Sequence, residues 1–232
     1  MAKKLKITSY VLACLLAIYV VLKYTGICTL YTIPSTGSEP NLKSGSYIFA
    51  SNLITPKRGD FIVYEFDHPE LGTANWIHRL SGMENDTLQI IEGTLFVNGK
   101  NVDENYNLKH SYLLDEKEFK SLHDENIEHF PITTKEGNTG YLTFVEDIYV
   151  NRHKLAKKRY RDLKIIPNPE IVATYRHPWN KDHFGPIIIP KGKIFVLGDN
   201  RDNSMDSRFF GLIDINDIKG VLWKKLFTID TK

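Results

Sequence analysis

Residues 198–211 read Gly-Asp-Asn-Arg-Asp-Asn-Ser-Met-Asp-Ser-Arg-Phe-Phe-Gly and follow directly on the apolar run Ile194-Phe195-Val196-Leu197. Hydroxyls, amides, carboxylates and two guanidinium groups are gathered there at a density that a solvent loop does not need. Loops of this composition, held by a strand, usually build sites. Gly, Asn, Asp and Ser also supply turn geometry and local bonds to the backbone, so an Asx-rich turn leading into the next element is the plainer alternative.

The stretch 198–211 closely resembles the signature of the type I signal peptidases, membrane-bound serine proteases that remove leader peptides from exported proteins. A second segment, Trp179-Asn180-Lys181-Asp182-His183-Phe184-Gly185-Pro186 with Pro190-Lys191-Gly192, resembles the sequence that precedes the signature in that family, so the two together span residues 179–213. The resemblance implies a nucleophile and a general base elsewhere in the chain, with hydrogen-bond donors for the oxyanion. In the family the nucleophile lies in a segment like P-S-G-S-M-x-P-T-L. The base is usually a Lys in a segment like I-K-R-V-x-G, and a His in some relatives. Both segments have recognisable but divergent counterparts here.

Trp76-Ile77-His78-Arg79-Leu80-Ser81-Gly82 matches the base segment with His78 in place of Lys. An imidazole with an unperturbed pKa near 6.5 is already a base at neutral pH, whereas a Lys must first be desolvated. The nucleophile segment admits three alignments. Without a gap, Gly37 falls where the family has its Ser, as in an inactive relative. With a one-residue deletion, Thr36-Gly37-Ser38 matches the hydroxyl-Gly-Ser pattern, and Ser38 is the nucleophile with the Thr36 hydroxyl as an oxyanion donor. Ser35 is the third choice. A one-residue shift in extended chain turns a side chain to the opposite face, so Ser38 reaches His78 only if the loop bends differently. In the signature, the resemblance gives Ser204 a place beside the base, makes Asp206 and Arg208 a charged pair supporting the site, and sets Asp199 and Asn200 in the tight turn.

Positioning such groups calls for a rigid frame, and the chain after residue 30 reads as mainly β. Tyr47 to Leu53, Asp60 to Phe66, Trp76 to Leu80, Thr87 to Ile91 and Thr94 to Val97 are rich in β-branched and aromatic residues, with turn residues between them. Asn98-Gly99 between apolar flanks is a type I′ hairpin signal. Residues 101–178 are more polar and read as a subdomain inserted between the two halves of a catalytic β domain, 31–100 and 179–232. Within the insert, Val145 to Lys164 predicts a helix whose Arg152, Lys154, Lys157, Lys158, Arg159 and Arg161 form a solvated basic face, with contact to anionic headgroups as the alternative. Trp223 is expected to close the core from an apolar strand.

Lys3, Lys4 and Lys6 precede an uncharged run, Ile7 to Leu22, that ends at Lys23. Snorkelling lysines at both ends let this serve as a transmembrane anchor within residues 1–30, and no small-x-small cleavage site follows it. The basic cluster places the N-terminus in the cytoplasm and the rest of the chain outside a bacterial plasma membrane. Cys14 and Cys28 are too far apart along a helix for a disulfide. A formal net charge of +2 over 232 residues excludes an argument for nucleic acid. The histidines lack metal-ligand spacing, and nothing requires a cofactor. The sequence therefore predicts a membrane-anchored, signal-peptidase-like serine endopeptidase (a hydrolase) whose partners are exported preproteins and the lipid bilayer, using Ser38 and His78 and supported by Ser35, Thr36, Ser204, Asp206 and Arg208. The alternative is an inactive relative that binds leader peptides or assists assembly of surface structures.

Overall fold

The structure, a computed structural model, describes residues 2–122, 127–133, 139–155 and 158–229. It begins with the helix α1 (Ala2–Tyr24). Within it Lys6–Tyr24 forms a 19-residue stretch of mean hydropathy 1.9, none of it buried against the rest of the protein. A helix that exposes apolar residues all round, among them Leu12, Leu16, Ile18 and Val21, is built for a lipid surrounding rather than a protein core. Among the described residues it is the one helix long and apolar enough to cross a membrane.

Strands dominate the remainder. β1 (Thr29–Thr32), β2 (Ser46–Ser51), β3 (Phe61–His68) and β4 (Gly72–Gly82) form the first part of a seven-stranded antiparallel sheet. β5 (Thr87–Ile91), β6 (Thr94–Val97) and β7 (Lys100–Asn101) form successive hairpins. The β6–β7 turn is made by Asn98 and Gly99, both at positive φ (52° and 75°), as the hairpin signal requires.

The middle of the chain carries β8 (Lys109–Asp115), the helix α2 (Glu116–Lys120), β9 (His129–Thr133), β10 (Thr139–Glu146) and the helices α3 (Asp147–His153) and α4 (Pro169–Tyr175). β8, β10 and β9 make a separate three-stranded sheet in that order. The long basic helix expected from 145 to 164 is corrected to the short α3. Lys154 turns into the left-handed region at φ 58°, and the Leu155 N–H bonds to the Val150 carbonyl. Leu155 and Val150 are then buried together, the apolar contact that accompanies a Schellman ending. Of the expected basic face, Lys157 lies outside the described residues. Arg159 and Arg161 dock instead on the Gly93 and Glu92 carbonyls of the β5–β6 turn.

β11 (Phe184–Ile188) joins β5 in the four-stranded sheet β11-β5-β6-β7. β12 (Lys193–Leu197), the short helix α5 (Ser207–Phe210), β13 (Ile213–Asp214) and β14 (Ile218–Thr228) complete the chain. The large sheet has the order β1-β2-β14-β3-β4-β12-β13. Alternation along β12 explains how the cores are tied together: Phe195 and Leu197 pack with Leu88, Ile90 and Phe184, while Ile194 and Val196 pack with Ile62, Tyr64 and Leu80. β3 is buried on both faces for the same reason, with Ile62 and Tyr64 toward one core and Phe61 and Val63 toward another. Trp223 does not close a core. It is 62% exposed on β14, and its ring meets that of Phe49 at 6.5 Å.

Candidate active site

His78 sits in the middle of β4, on the face that also carries Trp76 and Leu80. Its direct partner across the ladder is Ile62, and Tyr64 is the diagonal neighbour on the same face of β3. From there the Tyr64 hydroxyl lies 2.7 Å from His78 Nδ1. The other ring nitrogen, Nε2, is 3.2 Å from Ser204 Oγ. The imidazole is thus held at both ends, with 5% of the residue exposed. Burial pushes its pKa down to about 4, the Asp206 carboxylate opposing this and the Arg208 charge reinforcing it. At neutral pH His78 is an uncharged acceptor.

Ser204 is delivered by the loop that leaves β12, and that loop is fixed from several sides. Asp206 takes Arg208 Nε and an Arg208 NH2 nitrogen at 2.8 Å each, and its Oδ2 also accepts the Gly198 N–H. Both side chains are inaccessible to solvent or nearly so. Burial would raise the Asp206 pKa. Arg208, His78 and the Gly198 N–H together outweigh it and hold the carboxyl below its ordinary value. Arg208 further donates to the Arg201 carbonyl, closing the loop on itself. From β8 the loop receives Lys109 N–H at the Asp199 carbonyl and returns Arg201 N–H to the Lys109 carbonyl. Ser111 donates to Asp202 through both its N–H and its hydroxyl.

Arg79, next to His78 but on the opposite face, makes two bonds to Asp199 at 2.7 and 2.6 Å and lies between the rings of Phe61 and Tyr106. This bidentate pair fixes the start of the loop to the strand that carries the imidazole. Neither the Arg79–Asp199 pair nor Tyr64 is singled out by the sequence reading. Tyr64 could have been found from the alternation of β3, since it shares the inward parity of Ile62. The Arg79–Asp199 contact joins residues 120 positions apart and carries no local signal.

The segment 35–38 lies against the same loop. Thr36 Oγ1 accepts from Asn203, its carbonyl accepts from Asn200 Nδ2, and the Asn200 N–H bonds to the Gly37 carbonyl. Gly37 is the residue beside Ser204: a Cβ added to it would stand 3.4 Å from Ser204 Oγ. Ser38 is 2% exposed and its hydroxyl donates to the Ile77 carbonyl at 3.2 Å. The structure therefore brings Ser204, Asp206, Arg208 and Thr36 to the surroundings of His78 and directs the Ser38 hydroxyl to the backbone instead. Ser35 is exposed on the rim.

In front of these groups opens a cleft of about 620 Å³. It is lined by residues 31–37 and 74–78, His78 among them, together with Val63 and Ser204, and Leu71, Met205 and Phe209 add to its apolar lining. On the side of β4 away from β3, ladder pairing with β12 begins only at Arg79. The stretch from Gly72 to His78 thus presents a backbone edge beside the cleft, to which an extended peptide can add as a strand. Among the described residues there is no cluster of His, Cys, Asp and Glu suited to a metal ion.

Comparison with known proteins agrees with the motifs. A signal peptidase I of Buchnera aphidicola subsp. Baizongia pistaciae is 29% identical over 84% of this chain and 68% of its own. The Aquifex aeolicus signal peptidase I is 28% identical over 89% and 77%. Signal peptidase IB of Staphylococcus aureus is 30% identical over 84% and 75%. Among solved structures, a signal peptidase I from Enterococcus faecalis aligns at 22% identity over 73% of this chain and 98% of that one, with a TM-score of 0.35. The family model described as "Signal peptidase, peptidase S26" matches residues 6–224, from the apolar helix to the last strand, and the chain belongs to that family.

Proposed function

We propose that this protein is a membrane-anchored endopeptidase that removes leader peptides from exported preproteins, with His78 as general base. The observation that carries the reading is the imidazole at the foot of an apolar cleft, oriented by Tyr64 and facing a hydroxyl. A neutral imidazole so placed takes a proton from an attacking hydroxyl and returns it to the leaving amine. The preprotein lies extended along the free edge of β4, with its side chains entering the cleft between residues 31–37 and 74–78. α1 crosses the bilayer once, with its lysine-rich N-terminus in the cytoplasm and the cleft outside.

Incubation of the full-length protein in detergent or lipid with a synthetic leader-peptide substrate tests the activity. Wild type is expected to cleave, and His78→Ala to abolish cleavage while leaving the fold intact. The second reading is a relative that binds leader peptides without cleaving them. Wild-type protein that binds the peptide and leaves it intact from pH 5 to 10, a range set about the His and Lys reference values of about 6.5 and 10.4, would select that reading.

A further inference from the structure

We propose that Ser204, rather than Ser38, is the nucleophile of this peptidase, an inference that rests on the leader-peptidase reading above. Three geometric facts carry it. Ser204 Oγ is the hydroxyl in hydrogen-bond contact with His78 Nε2, at 3.2 Å. Ser204 is partly exposed and lines the cleft, so a peptide carbonyl can reach it. Ser38 meets neither condition, being 2% exposed and bonded to the Ile77 carbonyl.

The glycines on either side of Ser204 explain why its hydroxyl is both fixed and open. Behind it, a Cβ on Gly198 would collide with Ser204 Oγ, so the loop packs tightly against the serine there. On its other side stands Gly37, where a Cβ would come to 3.4 Å, in van der Waals contact with the hydroxyl. The absence of a side chain at 37 thus leaves space beside a serine that already touches the base. In the segment that lines the cleft, the Gly37 N–H takes no protein acceptor among the described residues, and the Thr36 hydroxyl, which accepts from Asn203, still has its proton to donate. These are the donors available to an oxyanion.

The step balances with the groups present. In the tautomer with the proton on Nδ1, directed at the Tyr64 oxygen, His78 Nε2 accepts the Ser204 proton as Oγ bonds to the scissile carbonyl carbon. Nε2 then gives that proton to the leaving amine as the C–N bond breaks, leaving an acyl ester on Ser204. Water, deprotonated by the same nitrogen, attacks the ester carbonyl carbon; the C–Oγ bond then breaks, the proton returns to Oγ, and the new C-terminal carboxyl group leaves.

The test uses the full-length protein in detergent, a leader-peptide substrate, and a fluorophosphonate probe whose site of attachment is mapped by mass spectrometry. Attachment is expected on Ser204. Ser204→Ala is expected to lose both attachment and cleavage, the latter by at least about a thousandfold, while Ser38→Ala keeps both. Attachment on Ser38 or Ser35, or cleavage that survives Ser204→Ala, overturns the assignment and leaves the peptidase reading standing. Loss of cleavage in Ser204→Ala with attachment elsewhere makes Ser204 a positioning residue and overturns it equally. Wild type that neither cleaves nor takes the probe defeats the assignment and the peptidase reading together.

Discussion

At the scale of single residues, the imidazole of His78 is the group whose environment most directly sets behaviour. Its pKa of about 4 lies far below the reference value of about 6.5 because the ring is removed from water, and the carboxylate of Asp206 only partly offsets that cost. The base form is then already available in weakly acid solution. Cleavage is expected to rise with pH around 4 and to be level through neutrality, as measured by kcat/KM against pH, rather than to titrate near 6.5. A rise centred at 6.5 or higher would show that the ring is hydrated when substrate binds. The same shift bears on stability. The unfolded chain binds a proton at His78 below about 6.5 and the folded protein does not until about 4, so stability falls as pH drops through that window. The loss is about 3 kcal/mol from this residue, by the value of roughly 1.4 kcal/mol for each unit. His78→Gln should flatten that part of a denaturant-midpoint profile.

Asp206 belongs to the same scale and gives a sharper stability test. Its carboxylate answers two Arg208 nitrogens and the Gly198 N–H while excluded from solvent. Asp206→Ala leaves Arg208 charged, buried and without its partner, a change that typically costs about 3–5 kcal/mol. Urea unfolding of the full-length protein measures it. A change within error would mean that the loop opens and hydrates Arg208 at little cost.

Among the elements, β12 does more than any other to fix the geometry of the site. Its alternation sends Phe195 and Leu197 into one core and Ile194 and Val196 into another, and the loop bearing Ser204 leaves from its end. A strand anchored on both faces cannot slip in register without exposing both sets. Phe195→Ala removes a fully buried ring packed 5.5 Å from the Phe184 ring, and is expected to destabilise by about 3–5 kcal/mol. In urea unfolding a cost below 1 kcal/mol, roughly the level of a conservative core exchange, would show that the two cores are not coupled through this strand. β8 acts from the other side, since its backbone bonds to Asp199 and Arg201 make the three-stranded sheet part of the support of the loop.

For the whole molecule, the separation between α1 and the β structure is the governing feature. None of the apolar stretch Lys6–Tyr24 is buried in the protein, so its apolar surface contributes to membrane attachment and not to the stability of the sheets. A variant lacking residues 1–24 is expected to keep the melting temperature of the full-length protein within a few degrees, a span corresponding to less than about 1 kcal/mol, and to lose membrane association on fractionation. A large drop would show that the end of the helix, which meets β1, supports the sheet. With the orientation proposed, protease added to intact cells or spheroplasts, after any outer membrane is permeabilised, should digest the chain beyond residue 30. Protection until the inner membrane is lysed would reverse the topology.

The sequence by itself determined the family, the mainly β fold, the apolar N-terminal helix and the polar loop 198–211. Each of these is written in local order: an alternating run, a lysine-flanked apolar run, an Asn-Gly turn, a dense string of polar residues. The segments that carry His78, Asp206 and Arg208 were legible for the same reason, since each is short and recognisable. The long helix over 145–164 and the buried Trp223 were not. Whether a periodic stretch continues as helix depends on where Leu155 finds an apolar partner, and whether a strand residue is covered depends on what packs on that face. Of the two neighbours of the imidazole, Ser204 was expected beside the base from its place in the polar loop, whereas Tyr64 came from the tertiary structure. Tyr64 reaches Nδ1 through the β3–β4 register, and Ser204 reaches Nε2 across 126 residues of chain. Which hydroxyl faces His78 depends on the turn at residues 35–38 and on the glycines that flank Ser204. A one-residue choice there rotates a side chain from the cleft to the backbone of Ile77, and no local spacing fixes that choice.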